Sequence, residues 1–122
     1  MDDLTLPLSA LRLGDDGTGT ADAAVLHHGG DEALAVGLMR AIRRVAEVAA
    51  GQPVEVVSVS LDRAGAIDAA GDALQFRAAI DRKTRTIVFA HGDVRQGGAG
   101  TAVILAATAV YRIPSSDQAR SA

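Results

Sequence analysis

Between residues 31 and 50 apolar side chains recur every three to four positions. Leu34, Leu38, Ala41, Ile42, Val45, Val48 and Ala49 fall on one face of a helix, while Arg40, Arg43, Arg44 and Glu47 share a narrow opposite stripe. Ala35, Val36 and Met39 widen the apolar part, so the pattern predicts a mostly buried helix. Its end is predicted at "AAGQP", where Gly51 can adopt a left-handed cap and Pro53 forbids continuation.

Past Pro53 the period changes to two. "VEVVSVSL" (54–61) is rich in β-branched residues and sets Val57, Val59 and Leu61 on one face. "ALQFRAAID" (73–81) alternates Leu74, Phe76, Ala78 and Ile80 against Gln75, Arg77, Ala79 and Asp81. "TRTIVFAHGDV" (84–94) is apolar on both sides and predicts a strand buried on both faces. "TAVILAATAVYRI" (101–113) follows the glycine-rich turn "RQGGAG" as a long final strand. Upstream, "LSALRLGDDGTGTADAAVL" reads as a short apolar segment, a "DDGTG" turn and a second extended segment. Strands joined by short turns make an antiparallel meander. The predicted class is α+β, one long central helix wrapped by a curved antiparallel sheet. No linker or repeat divides the chain, so residues 1–113 read as a single domain and 114–122 as a polar tail.

Composition narrows the function. A chain that is 48% hydrophobic and 22% charged is globular, and 122 residues suffice for a real core. A net charge of -3 and only three aromatic rings, Phe76, Phe89 and Tyr111, argue against nucleic acid and anionic membranes as partners. The absence of cysteine excludes disulfides, thiolate metal sites and a cysteine nucleophile. "MDDLTLPLSA" begins acidic and without a basic region, and the run "QGGAGTAVILAATAVY" is too short to span a bilayer. A cytoplasmic protein is the expectation. His27, His28 and His91 make no metal-ligand spacing, so no metal is expected. No nucleophile elbow, phosphate loop or dinucleotide fingerprint occurs.

The most unusual stretch is "VLHHGGDEALAVGLMRAI" (25–42), which puts two histidines and two glycines before the helical run. With the order of elements around it, His28-Gly29-Gly30 resembles the hotdog-fold acyl-CoA thioesterases, closest to small bacterial phenylacetate-pathway-like members, over roughly residues 9–113. That resemblance implies a helix sheathed by a sheet, a homodimer or dimer of dimers formed by sheets pairing edge to edge, and active sites at the interface. It implies a coenzyme A thioester as substrate, with no further cofactor. A helix start presents unpaired N–H groups and about half a positive charge, which would polarise a thioester carbonyl. Gly29 or Gly30 would donate such an amide without a Cβ to crowd the acyl group, and His28 would order the loop or touch the thioester. The plainer reading is a tight connection with both histidines solvated.

The sequence also departs from the family's pattern. A helix carboxylate is expected eight residues after Gly29, where Gly37 stands, and a second polar residue aligns with Pro53. The family's asparagine corresponds to Asp22, which keeps an acceptor and could serve as general base. Asp31 and Glu32 are further carboxylates, with helix capping as the alternative role. Arg63, Arg82, Lys83 and Arg85 are candidates for the coenzyme A phosphates, or else protect a hairpin from aggregation. His91 reads as a structural hydrogen-bonding residue. Three functions follow: a thioesterase with water as nucleophile, a catalytically inactive hotdog module that binds acyl-CoA or serves as an interaction subunit, and a dehydratase, for which the needed acid is again absent.

Overall fold

The computed structural model describes residues 11–97 and 102–115. The opening "MDDLTLPLSA", residues 98–101 of the glycine-rich turn and most of the tail lie outside them. The elements run β1 (Arg12–Leu13), β2 (Thr18–Ala21), α1 (Ala23–Ala50), β3 (Glu55–Arg63), β4 (Leu74–Lys83), β5 (Ile87–Gln96) and β6 (Val103–Arg112).

The expected helix is present but starts earlier. The second extended segment stops at Ala21, and Asp22 caps the helix by accepting the Val25 N–H at 3.1 Å. "AAVLHH" then continues in helical conformation, so a segment read as extended becomes the first turns of α1. A four-residue strand followed by a capping aspartate and two alanines favours this outcome. The far end is as predicted: Gly51 sits at φ 72°, its N–H donating to the Glu47 carbonyl at 2.8 Å.

The sheet order is β1-β2-β4-β5-β6-β3, all antiparallel. β4, β5 and β6 form the meander, and β3 crosses over to become the edge beyond β6. One face carries α1, whose Leu26, Leu34, Leu38, Ala41, Ile42 and Ala46 are at most 1% exposed. Against them lie Leu74, Phe76, Val88, Ala90, Val94, Ala107, Ala109 and Tyr111. Burial of these apolar surfaces is the main stabilising term. Gly92 lets the helix settle closely, because a Cβ there would stand 2.9 Å from Ile42 Cγ1 and 3.1 Å from Leu38 Cδ1.

Two expectations about faces are corrected. β5 is not buried on both sides: Val88, Ala90, Gly92 and Val94 face the helix, while Phe89 is exposed on the opposite face beneath the Arg82 guanidinium. Among the described residues no second layer covers that outer face. In β3 a bulge at Val57 shifts the register between Val56 and Ser58. Val56, Val59 and Leu61 therefore align with buried Tyr111, Ala109 and Ala107, and Val57 is left 60% exposed. The edge strand thus carries apolar side chains that the described residues leave open.

Candidate functional site at a break in the helix

Gly30 interrupts α1. Its φ of 78° and ψ of -168° lie outside helical geometry, in a region open essentially to glycine alone. A Cβ on it would meet nothing within 4 Å. Glycine is therefore demanded by the backbone and not by crowding, and the space beside it is open. The helix resumes at Asp31. A helix start carries amides with no carbonyl four residues back, together with the positive end of the macrodipole. The break puts the beginning of a second helical segment inside an otherwise continuous element.

A cavity of about 320 Å³ lies beside the break. Leu26, His27, Gly30, Asp31 and Leu34 line it from the helix, Arg63 from the end of β3, and Ala66 and Ile67 from the segment leading to β4. One side is thus aliphatic and the other polar. Arg63 bridges the polar side, its Nη1 donating to Asp31 Oδ1 at 2.6 Å and its Nε to the Gly65 carbonyl. Gly65 is fixed in turn, its N–H donating to the Ile104 carbonyl at 3.1 Å. The rest of the loop is clamped by Gln96, which accepts the Asp68 N–H and donates to the Asp68 and Asp72 carbonyls, each at 2.8 Å.

The sequence candidates scatter around this cavity. Gly30 and Arg63 line it; Asp22, His28 and Gly29 do not. Asp22 is occupied in capping the helix, and His28 is exposed. Arg82 lies over Phe89 on the outer face, and Lys83 and Arg85 are exposed at the β4–β5 hairpin. Through β5 and β6, Lys83 is in register with Tyr111, whereas Arg63 is in register with Leu105. Six residues of strand separate the two rows, roughly 20 Å. Within one chain the four basic residues do not form a single patch. His91 Nδ1 pairs with Asp81 Oδ1 at 2.6 Å on the outer face, the structural use expected of it.

Gly37 is buried against the sheet. A Cβ there would stand 3.3 Å from Phe76 Cε2 and 3.7 Å from Leu11 Cδ2. The position where the resemblance expects a helix carboxylate faces the chain's own core.

A helical pattern that starts at residue 31 leaves His27 out of the lining and gives Asp31 no special place. The signal was there: His27, Gly30, Asp31 and Leu34 stand at i, i+3, i+4 and i+7, one helical face. It becomes visible only if the helix is begun at Ala23. Among the described residues no group of three histidine or carboxylate side chains could hold a metal ion, and no helix is long and apolar enough to cross a membrane.

No family model and no curated protein sequence matches the chain. Solved structures do. A putative thioesterase related to phenylacetic acid degradation, from Ralstonia eutropha, is 18% identical with a TM-score of 0.63, over 84% of this chain and 83% of that one. A Streptococcus mutans protein bound to acetyl CoA is 13% identical with a TM-score of 0.65, over 80% and 79%. A hexameric thioesterase from Yersinia pestis is 15% identical with a TM-score of 0.59, over 70% and 71%. The chain spans as little as 61% of the length of one matched thioesterase-superfamily structure. The shared architecture is the hotdog fold: this chain has it.

Proposed function

On the premise of that fold, we propose that the cavity at the Gly30 break binds an acyl-CoA or related thioester and hydrolyses it. The observation that carries this reading is the glycine-only break itself, which opens a helix start onto a cavity with an aliphatic side and a polar side. The thioester carbonyl would lie against the amides of Gly30 and the turn after it, where the dipole and N–H groups stabilise a developing oxyanion. The acyl group would rest on Leu26, Leu34 and Ile67. His28 and Gly29 enter only through the backbone that leads into the break. Arg82, Lys83 and Arg85 enter as phosphate contacts only if a second copy brings a hairpin near the cavity.

Self-association belongs to the proposal. The edge strand β3 leaves Val56 and Leu61 exposed at 45% and 41%, and two such edges paired would cover them. The Yersinia pestis neighbour's hexamer is consistent with this. The chain acts as a soluble cytoplasmic protein in this reading, with itself and the thioester as partners.

A second reading has its own support. Gly37 lacks the carboxylate of the resembling enzymes, which favours an inactive module that binds acyl-CoA. One experiment separates the two: hydrolysis of short, medium and aryl acyl-CoAs followed by thiol release, with the melting temperature measured with and without coenzyme A. Turnover of any thioester supports the enzyme. A raised melting temperature without turnover supports the binding module, and neither effect would end both readings.

A further inference from the structure

Hydrolysis needs a group that takes a proton from water, and position 37 cannot provide it. We infer that Asp31 is the general base and that Arg63 is the residue that positions it, an inference that rests on the thioesterase reading above. Of the residues lining the cavity, Asp31 is the carboxylate, and it follows Gly30 directly. It stands in the first turn after the break, on the polar side of the cavity.

Its side chain is oriented by a chain of contacts. Asp31 Oδ1 takes the Arg63 Nη1–H at 2.6 Å, Arg63 Nε binds the Gly65 carbonyl, and Gly65 is held to Ile104 of β6. The planar guanidinium thereby links the helix break to the sheet in a way a flexible ammonium reproduces only in part. Asp31 Oδ2 has no hydrogen bond from the described residues. That oxygen is the one left to take a water proton. Asp22, whose Oδ1 likewise takes one N–H, differs in lying off the cavity.

The step balances. Oδ2 accepts a proton as the water oxygen bonds to the thioester carbon, the carbonyl electron pair resting on the oxygen at the helix amides. The tetrahedral species collapses by breaking the carbon–sulfur bond, and the Asp31 proton passes to the leaving thiolate. Carboxylic acid and free thiol are released.

The test compares wild type with Asp31→Asn, Asp22→Asn, Arg63→Gln and Arg63→Lys. Each is assayed on the best acyl-CoA of the panel and on the pantetheine thioester of the same acid, which lacks the nucleotide phosphates. Folding is checked by circular dichroism, and binding by titration with S-(2-oxopropyl)-CoA, a ketone that cannot be hydrolysed. Asp31→Asn is expected to lower kcat by about 10²- to 10⁴-fold with analogue affinity kept. Arg63→Gln should lower kcat roughly 10- to 100-fold on both substrates with KM little changed, and Arg63→Lys should return part of the loss. Activity that survives Asp31→Asn, or that is lost in Asp22→Asn instead, overturns the assignment while the thioesterase reading stands. An Arg63→Gln defect confined to KM on the CoA substrate makes Arg63 a phosphate contact and overturns its positioning role. Wild type that binds the ketone but turns over no thioester overturns the enzyme reading and, with it, any base.

Discussion

Gly30 and Gly51 share a positive φ, 78° and 72°, and neither would bring an added Cβ within 4 Å of a neighbour. They differ in ψ. At Gly51 ψ is 17°, a left-handed residue that turns its N–H back onto the Glu47 carbonyl and closes the helix. At Gly30 ψ is -168°, and the chain steps sideways and begins the helix again. One glycine satisfies a helix end, and the other makes a new helix start in the middle of an element. The same residue type in the same half of backbone space therefore serves termination in one place and exposure in the other. The cavity, Arg63 and Asp31 are found at the second.

Gly37 is the control for this comparison, because there glycine is a matter of room. Gly37→Asp would push a carboxylate against the Phe76 ring and Leu11, and the largest effect is expected from it. Leaving an uncompensated charge in the core destabilises by about 3–5 kcal/mol, to be read from denaturant unfolding. A stable Gly37→Asp protein with faster hydrolysis would mean that position 37 reaches the substrate, and the break at Gly30 would lose its special standing. Next comes the pair itself. Gly30→Ala should cost about 1–3 kcal/mol, since its backbone region is essentially closed to other residues, and Gly51→Ala about 1–2 kcal/mol. The sharper contrast is functional: thioester turnover or coenzyme A binding should fall in Gly30→Ala and persist in Gly51→Ala. Equal behaviour of the two variants in that assay would dissolve the distinction drawn between them.

Much of the fold was legible because its signals are local. The face from Leu34 to Ile42 repeats over several turns, Gly51 with Pro53 marks a stop, and Leu74, Phe76, Ala78 and Ile80 alternate cleanly; the last predicted face residues, Val48 and Ala49, are exposed, and Ala46 is buried in their stead. The turns between Ala23 and Gly29 were not, because seven residues after a short strand show too little periodicity to outweigh the extended reading. The bulge at Val57 and the bare outer face of Phe89 depend on which strands neighbour β3 and β5 and on what covers them, which is non-local. The site divides the same way. The Gly29-Gly30 doublet stands out in the sequence, and only the backbone angles separate Gly30 from Gly29. In the sequence Arg63 groups with Arg82, Lys83 and Arg85, and only the crossover of β3 brings the end of that strand to the helix break. In the sequence Asp31 and Glu32 are equivalent first-turn acids; only the cavity separates them.

The smallest effect bears on whether the break truly divides α1. Asp22 caps the seven residues ahead of Gly30 through the Val25 N–H, and Asp22→Ala removes that bond at a cost of about 1 kcal/mol. If Gly30 interrupts the helix, the loss stays on its own side. Hydrogen exchange at residues 26–29 should quicken, while amides from Leu38 to Ala46, packed on the sheet, keep their protection. If instead protection falls evenly from Leu26 to Ala46, the two segments are one cooperative unit. Gly30 would then be a bend within it and not a second beginning, and the amides after it would be bound too firmly into the helix to meet a ligand.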